Sequence, residues 1–168
     1  MDDMRIGFGY DSHRFETGRR LVLGGVEISG EVGLRGHSDA DVLLHAVIDS
    51  LLGAAALGDI GSHFPDTDAR WRGADSAQLL ARVVAEVASA GWTVGNVDVT
   101  VICEQPRIRP YAEAIRTRLA ELLWPGEDAG QQVSRVSVKG KTNERMDDVG
   151  AGLGIEVHAA CLLRGKAR

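Results

Sequence analysis

The strongest local signal in the chain is residues 38–57, which read SDADVLLHAVIDSLLGAAAL. Apolar residues recur there at the three- and four-residue spacing of one helix face, at Leu44, Ile48, Leu51 and Ala55. The stretch opens with Ser38-Asp39-Ala40-Asp41, where Ser or Asp is a good N-cap, and acidic side chains favour the positive end of the helix dipole. The stretch therefore predicts a long helix that buries its apolar face.

Further elements are predicted on both sides of this helix. Alternating apolar residues bounded by turn residues predict strands over Met4–Tyr10, Leu21–Ile28, Thr93–Cys103, Val133–Lys139 and Ile155–Leu163. The second of these is a strand or a hairpin arm, because two glycines interrupt it. Two more helices are predicted, one capped by Asp75 or Ser76 and ended by Gly91, the other with Pro110 as its first residue. Loops are expected over 33–36, 58–72 and 140–154.

The resulting order, β, β, α, α, β, α, β, β, predicts an α+β fold, a mixed α/β sandwich with helices on one face of a sheet. A length of 168 residues suits a single domain, residues 1–168. The other face of the sheet would then lack a cover. We expect that face to pack against another subunit.

The composition excludes several classes of protein. The chain has 19 Lys and Arg against 24 Asp and Glu, a net charge of −5, which argues against a dedicated nucleic-acid binder. It lacks an apolar run of about 18 residues, so we expect no membrane span, and its N-terminus does not read as a signal peptide. Cys103 and Cys161 are too few for a disulfide framework. We expect reduced thiols in a cytoplasmic protein.

Three residues form a candidate metal site. Asp11 and His13 flank Ser12, and in an extended segment they point to the same side. With His45 they make two imidazoles and one carboxylate, the ligand set of a catalytic zinc ion with one open position. The set is also that of a mononuclear Fe(II) oxygenase, a class that normally requires a long all-β barrel. Alternatively, Asp11 and His13 form a hydrogen-bonded loop pair and His45 is a core histidine.

Two carboxylates lie one helical turn on either side of His45. They are Asp41 and Asp49, at i−4 and i+4. Either of them is placed to accept a proton from the His45 ring nitrogen that does not bind the metal. The alternative is an ordinary solvated helix face.

Four segments appear in a fixed order along the chain. They are RIGFGYDSHRF (5–15), GHSDADVLLHAVIDSLLGAAALGDIGSHFPDTD (36–68), GNVDVTVICEQPRI (95–108) and VSVKGKTNE (136–144). Over almost its whole length the chain resembles the 2-C-methyl-D-erythritol 2,4-cyclodiphosphate synthase family of the non-mevalonate isoprenoid pathway. The resemblance implies a homotrimer with active sites between neighbouring subunits and the sheet facing the threefold axis.

The resemblance also implies a phosphorus–oxygen lyase. Its substrate would be 4-diphosphocytidyl-2-C-methyl-D-erythritol 2-phosphate, whose 2-phosphate attacks the β-phosphorus while CMP departs. The implied metal ligands are Asp11, His13 and His45 for one Zn²⁺ per subunit, and Glu144 for Mg²⁺ or Mn²⁺ on the substrate diphosphate. The implied catalytic residues are His37 and Thr142, which would steady the transition state together.

The remaining site residues are likewise carried over from the family. His37 and Ser38 would contact substrate phosphate, with Asp11, Ser12 and His13 nearby. The erythritol hydroxyls would be held by Asp59, Ile60 and Gly61, and a mobile substrate loop would comprise Phe64, Pro65, Asp66, Thr67 and Asp68. The cytidine segment would comprise Cys103, Glu104, Gln105, Pro106, Arg107, Ile108 and Arg109, and the last group Lys141, Thr142, Asn143 and Glu144.

The chain departs from the family pattern after Glu144. Asp148 stands at an aromatic position, and Ala151 and Leu153 replace an Arg and a Glu. In the family these positions line a cavity on the threefold axis that can hold an isoprenoid diphosphate. We therefore hypothesise that catalysis is kept and diphosphate recognition in that cavity is lost, with neutral drift as the alternative.

Two other functions compete with the cyclising enzyme. One is a catalytically silent, metal-binding trimeric scaffold, against which the retention of Asp59, Thr142 and Glu144 argues. The other is the Fe(II) oxygenase. A fused cytidylyltransferase is not expected, because 168 residues accommodate one domain of this kind.

Overall fold

The computed structural model describes residues 3–29 and 32–166. Its strands are β1 Met4–Thr17, β2 Leu21–Leu23, β3 Val26–Ser29, β4 Val32–Leu34, β5 Trp92–Ile102, β6 Val136–Lys141 and β7 Gly154–Gly165. Its helices are α1 Val42–Ala55, α2 Ile60–His63, α3 Ser76–Ser89, α4 Ala112–Leu123, α5 Ala129–Gln132 and α6 Asp147–Gly150. Short 3-10 turns cover Ala69–Trp71 and Val133–Arg135. Within the described part, no helix is both long and apolar enough to cross a bilayer.

The sheet has five strands in the order β4-β1-β7-β5-β6, and β2 and β3 form a separate hairpin. β1 and β7 pair antiparallel from Met4 opposite Arg164 to Arg14 opposite Gly154. β5 pairs antiparallel with β7 and parallel with β6. Strands and helices thus form the mixed α/β arrangement that the element order predicts.

Helix α1 forms the centre of the core. All of its residues are buried except His45, Asp49 and Gly53, so the predicted apolar stripe is confirmed and is part of a helix enclosed on nearly every side. Its last residue is Ala55, and Ala56 follows in the left-handed conformation of a C-cap. Such a helix is stabilised mainly by tertiary packing, because burial of its apolar side chains outweighs its intrinsic propensity.

Two glycines allow α1 to lie directly on β1. A Cβ atom on Gly7 would come within 1.9 Å of the Ser50 carbonyl oxygen, and one on Gly9 within 1.9 Å of the Ala46 carbonyl oxygen. Both distances are far below van der Waals contact. The helix backbone therefore packs on the strand backbone, which no side chain larger than hydrogen permits.

Asp41 joins the start of α1 to the β2–β3 hairpin. Its buried carboxylate accepts hydrogen bonds from the backbone amides of Leu44 (3.0 Å), Gly24 (2.9 Å) and Gly25 (2.7 Å). Burial raises the pKa of Asp41 to about 6, although the three amides favour the ionised form. Asp41 is thus an N-cap and a hairpin anchor, and it is not part of a solvated face.

Several predicted boundaries were wrong. β1 continues to Thr17, so the Asp11–His13 segment lies within the strand, where pairing with β7 holds it. The segment predicted as a loop over 33–36 begins with strand β4, which pairs with the end of β1. The fourth predicted strand begins at Val136, because a 3-10 turn occupies Val133–Arg135.

Other predictions are refined by the structure. The glycine pair Gly24-Gly25 is the turn of the β2–β3 hairpin. Asp75 caps α3 by accepting from the amide of Ala77, as predicted. Pro110 precedes α4 by two residues, and Tyr111 is its N-cap. The two long polar loops contain the short helices α2 and α6.

One face of the sheet carries apolar side chains in contact with solvent. Alternate residues of β1 point away from α1, and Met4, Ile6, Phe8 and Tyr10 are 61%, 80%, 64% and 43% exposed. On β7 the neighbours on that face include His158, which lies against the rings of Phe8 and Tyr10. An apolar patch of this kind is typical of a protein–protein contact.

Candidate metal centre

Three ligand atoms converge where β1 meets α1. Asp11 and His13 lie on the α1 side of β1, and His45 extends from α1 towards them. Asp11 Oδ2 is 3.1 Å from His13 Nε2 and 3.0 Å from His45 Nδ1, and the two ring nitrogens are 3.4 Å apart. All three side chains are half-buried. The sequence prediction of a three-residue metal site is therefore confirmed as a geometric cluster.

The spacing of these atoms fits a single metal ion. Ligand atoms bound tetrahedrally at about 2.0–2.1 Å lie about 3.3–3.4 Å from one another, and the observed separations are 3.0–3.4 Å. Although burial opposes its ionisation, contacts with the two imidazoles lower the pKa of Asp11 to about 2. Asp11 is therefore a carboxylate at neutral pH, as a metal ligand must be.

The outer nitrogen of His45 has a defined hydrogen-bond partner. Its Nε2 lies 2.9 Å from Ser76 Oγ, and Ser38 Oγ lies farther from it, at 3.3 Å. The Ser76 hydroxyl donates its only hydrogen to Asp39 Oδ1 at 2.5 Å, so it accepts from His45. With its proton donated on the Nε2 side, the ring has an Nδ1 lone pair free to bind a metal ion beside Asp11 Oδ2. A ring nitrogen oriented in this way suits a metal ligand, which argues against a simple core histidine.

The predicted partners of His45 are engaged elsewhere. Asp41 accepts the backbone amides described above, and Asp49 Oδ1 accepts from the amide of Ile60 at 2.7 Å. The proposal that one of them orients His45 was wrong, because both carboxylates accept backbone amides while the hydroxyls of Ser76 and Ser38 lie at the outer nitrogen of the ring. Ser76 is far from His45 in the sequence, so no local spacing pattern signals the contact.

A cavity of about 380 Å³ opens beside the metal cluster. Its walls include all three cluster residues and most of the predicted phosphate, diol and loop residues, namely His37, Ser38, Ile60, Gly61, Phe64, Pro65, Asp66, Thr67 and Asp68. Gly36, Trp71, Arg72 and Leu79 also line it, and sequence reasoning missed these four. Asp59 stands at the adjacent end of α2, where its Oδ1 accepts from the amide and hydroxyl of Ser62.

The predicted cytidine segment lies in a different place. A second cavity of about 220 Å³ is lined by Cys103, Pro106, Arg107, Ile108, Arg109, Gly140, Lys141 and Thr142. Among the described residues it shares no lining side chain with the metal cavity. One protomer therefore does not place His37 and Thr142, the two predicted catalytic residues, in the same cavity.

The neighbours of this second cavity form a hydrogen-bonded group. Glu104 Oε1 accepts from the amides of Asn143 (3.0 Å) and Arg145 (3.3 Å), and Thr142 Oγ1 donates to Glu144 Oε1 at 3.1 Å.

Two further predicted residues line shallow surface depressions. Gln105 lines a shallow depression next to Arg107. Ser12 lines another depression with Arg14 and Asp148, whose side chains form an ion pair at 3.2 Å.

Both cysteines are buried free thiols. Burial raises the pKa of Cys103 to about 11 and also raises the pKa of Cys161. A thiol that resists ionisation is a poor nucleophile. Cys103 therefore contributes to its cavity as a small buried side chain.

Comparisons with known proteins agree over nearly the whole chain. The model of the YgbB family matches residues 4–164. The 2-C-methyl-D-erythritol 2,4-cyclodiphosphate synthase of Salinibacter ruber is 55% identical over 161 residues, 96% of this chain and 99% of that protein.

Solved structures show the same fold. The bifunctional IspDF of Campylobacter jejuni has a TM-score of 0.91 at 34% identity, over 98% of this chain and 43% of that one. IspF of Plasmodium falciparum, solved as a CDP complex, has a TM-score of 0.82 at 34% identity over 99% of both chains. The chain belongs to the YgbB family and, within it, to the 2-C-methyl-D-erythritol 2,4-cyclodiphosphate synthases.

Proposed function

We propose that this chain converts 4-diphosphocytidyl-2-C-methyl-D-erythritol 2-phosphate to 2-C-methyl-D-erythritol 2,4-cyclodiphosphate and CMP, as a phosphorus–oxygen lyase of the non-mevalonate pathway. The observation that carries the proposal is the convergence of Asp11, His13 and His45 at the wall of a cavity lined by the predicted phosphate and diol residues. The names of the relatives support it.

In this proposal the chain acts chiefly by positioning. Nucleophile and electrophile belong to one flexible molecule, and holding two reacting groups in line contributes about 7–11 kcal/mol in favourable cases. His37 and Ser38 would hold a phosphate near the start of α1. Asp59, Ile60 and Gly61 would hold the erythritol hydroxyls, a task suited to a carboxylate that accepts two hydrogen bonds.

We assign the Asp11–His13–His45 cluster to Zn²⁺, because two imidazoles and a carboxylate are a usual zinc set. The ion would supply positive charge that offsets the mutual repulsion of the substrate phosphates. We assign Glu144 to Mg²⁺ or Mn²⁺ on the diphosphate. Its exposed carboxylate beside Thr142 supports this second assignment.

We further propose that the working form is a homotrimer with its active sites between subunits. Two observations support this arrangement. The metal and cytidine cavities are separate within one protomer, as expected if a neighbour supplies one of them. The apolar face at Met4, Ile6, Phe8 and Tyr10 offers the surface for that contact. In this proposal the trimer acts on a small-molecule substrate in the cytoplasm and has no nucleic-acid or membrane partner.

The competing functions have less support. The names of the relatives favour an enzyme over a silent scaffold. An Fe(II) oxygenase would require a long β-barrel, whereas the described residues form an open five-stranded sheet with helices.

We also propose that the trimer has lost isoprenoid-diphosphate binding on its axis. Asp148 is paired with Arg14, so the cation nearest to it is already neutralised. Leu153 is 47% exposed where the family has a charged residue. Micromolar binding of geranyl diphosphate by calorimetry would contradict this proposal.

The reaction itself is tested by following CMP and the cyclic product by ³¹P NMR. The wild type should release one CMP per cyclodiphosphate formed. His45→Ala should lose both metal and turnover, while the surface variant Glu121→Gln should keep both. A wild type that binds zinc but leaves the substrate unchanged would support the scaffold instead.

A further inference from the structure

Arg72 brings a positive charge to the wall of the metal cavity. Among the described residues it is the only lysine or arginine that lines this cavity, where the carboxylates are Asp11, Asp66 and Asp68. Asp68 is already paired with Arg70, whose Nε donates to its Oδ2 at 2.9 Å. Within the described part of the chain, no carboxylate forms an ion pair with Arg72. Because a guanidinium is a permanent cation, Arg72 is a charge that is free to bind an anion in the cavity.

The backbone of Arg72 is fixed in a tight turn. Residues 71–74 form a type II β-turn, in which the amide of Ala74 donates to the carbonyl of Trp71 at 3.1 Å. Arg72 is the second residue, with φ −66° and ψ 118°. Gly73 is the third, and its φ of +70° is the left-handed conformation that glycine adopts without strain. The exposed side chain of Arg72 therefore extends from a defined backbone position.

Two backbone hydrogen bonds attach this turn to the segment that precedes α1. The amide of Gly73 donates to the carbonyl of His37 at 2.7 Å, and the carbonyl of the turn's last residue accepts from the amide of Asp39 at 3.1 Å. His37 and Ser38 are the residues proposed to hold a substrate phosphate, and both line the same cavity. The turn thus brings the backbone of Arg72 next to the proposed phosphate residues.

The proposed substrate carries more negative charge than the assigned metal ions face. Its diphosphate is attached to cytidine, and both the Zn²⁺ at the cluster and the ion at Glu144 are assigned to offset its charge. Its 2-phosphate is not attached to the cytidine and has no cation of its own. A guanidinium binds a phosphate through two parallel N–H···O hydrogen bonds, which fix its orientation as well as its charge.

We propose that Arg72 binds the 2-phosphate of the substrate together with His37 and Ser38, and so holds the nucleophile in place for attack. This inference rests on the proposed function and adds to it a residue that recognises the phosphorylated hydroxyl. It has a consequence for specificity. A site with a cation for the 2-phosphate discriminates against the same molecule without that group, because the guanidinium is then left unpaired.

Two unreactive ligands test this contact without turnover. One is 2-C-methyl-D-erythritol 2-phosphate, which lacks the diphosphate, and the other is 4-diphosphocytidyl-2-C-methyl-D-erythritol, which lacks the 2-phosphate. Calorimetry on the full-length, zinc-loaded protein measures both dissociation constants. Arg72→Gln should weaken binding of the first ligand about tenfold or more, because a hydrogen bond between charged groups is lost, and should leave the second within about twofold.

Two further variants separate charge from geometry. Arg118→Gln removes the same charge from α4, where the guanidinium donates to Glu121 Oε2 at 2.7 Å, and it should change neither constant. Arg72→Lys keeps the charge without the planar fork, so it should recover part of the affinity for the 2-phosphate ligand.

The outcomes distinguish this inference from the proposed function. An Arg72→Gln protein that binds the 2-phosphate ligand as tightly as the wild type, or that weakens both ligands equally, would overturn the role of Arg72 while the function stands. A wild type that binds neither ligand would refute the proposed function, and the role of Arg72 with it.

Discussion

At the scale of single residues, the orientation of the His45 ring depends on a hydrogen-bonded pair of side chains, Ser76 and Asp39. Asp39 accepts from Ser76, Ser76 accepts from His45, and the ring is left with its lone pair on the cluster side. Partners of this kind orient a ligand and raise its basicity. The metal affinity of the cluster should therefore depend on Ser76.

The first prediction concerns Ser76→Ala. Removal of the hydroxyl leaves the His45 Nε2–H with only the longer 3.3 Å contact to Ser38 Oγ and frees the ring to change tautomer. We expect metal affinity to fall about 10- to 100-fold, measured by competition with a chromogenic chelator. Ser50→Ala is the matched control, since Ser50 is equally buried on α1 but donates to the Val47 carbonyl. Equal affinities in the two variants would refute the role of Ser76.

The second prediction concerns Asp41 and pH. Its pKa of about 6 lies above the ordinary value of 3.8, so the protonated form favours the folded state. That contribution is complete below about pH 4 and is lost as the pH rises through about 6. Asp41→Asn cannot ionise, so the wild type should lose about 3 kcal/mol relative to it between about pH 4 and pH 7. Urea unfolding at each pH measures the difference, and a difference independent of pH would contradict the prediction.

At the scale of elements, the metal cluster depends on how closely α1 lies against β1. Gly7 and Gly9 remove the side chains that would separate them, and His45 then reaches Asp11. The periodicity of residues 38–57 was sufficient to predict α1 and its buried face, because apolar spacing reports burial. It could not report the helix–strand distance, since that depends on glycines some 40 residues away in sequence.

The third prediction follows from this contact. Gly9→Ala would place a methyl group on the Ala46 carbonyl, so α1 has to move away from β1. We expect a loss of about 3 kcal/mol or more in stability, together with weaker metal binding. Gly53→Ala is the control, because the nearest atom to a Cβ there is 3.9 Å away and alanine favours a helix. Thermal denaturation measures the stability of both variants, and metal analysis measures how much metal each binds. A Gly9→Ala protein as stable as Gly53→Ala would show that the close contact of α1 with β1 does not depend on Gly9.

The site was predictable from sequence only in part. Asp11, His13 and His45 follow from ligand type and alternation along a strand, and most residues of the cavity follow from family motifs. Trp71, Ser76 and Asp39 were missed as site residues because they act through tertiary contacts between α1, α3 and the segment after α2. The end of β1 was misplaced because polar residues resemble a turn until their pairing with β7 is known.

At the scale of the whole molecule, the described residues carry a metal cavity, a separate cavity at residues 103–109 and an exposed apolar face on β1. The fourth prediction is that Phe8→Glu, which puts a charge at the centre of that face, yields a smaller species by analytical ultracentrifugation. Metal binding should persist, because the cluster lies on the opposite side of β1, while CMP release should be lost. Ala114→Glu on the exposed side of α4 should leave assembly unchanged. An intact, active Phe8→Glu assembly would place the subunit contact elsewhere.

The central claim is that the Asp11–His13–His45 cluster holds a zinc ion and works together with a cytidine segment from a neighbouring subunit. It is tested most directly by a crystal structure with bound CDP, with anomalous data collected at the zinc absorption edge. We predict one anomalous peak per chain about 2.1 Å from Asp11 Oδ2, His13 Nε2 and His45 Nδ1. We also predict that the cytosine contacts residues 103–109 of one subunit while the diphosphate extends to the metal cluster of the next. A cluster without a peak, or a nucleotide bound away from both cavities, would contradict the account.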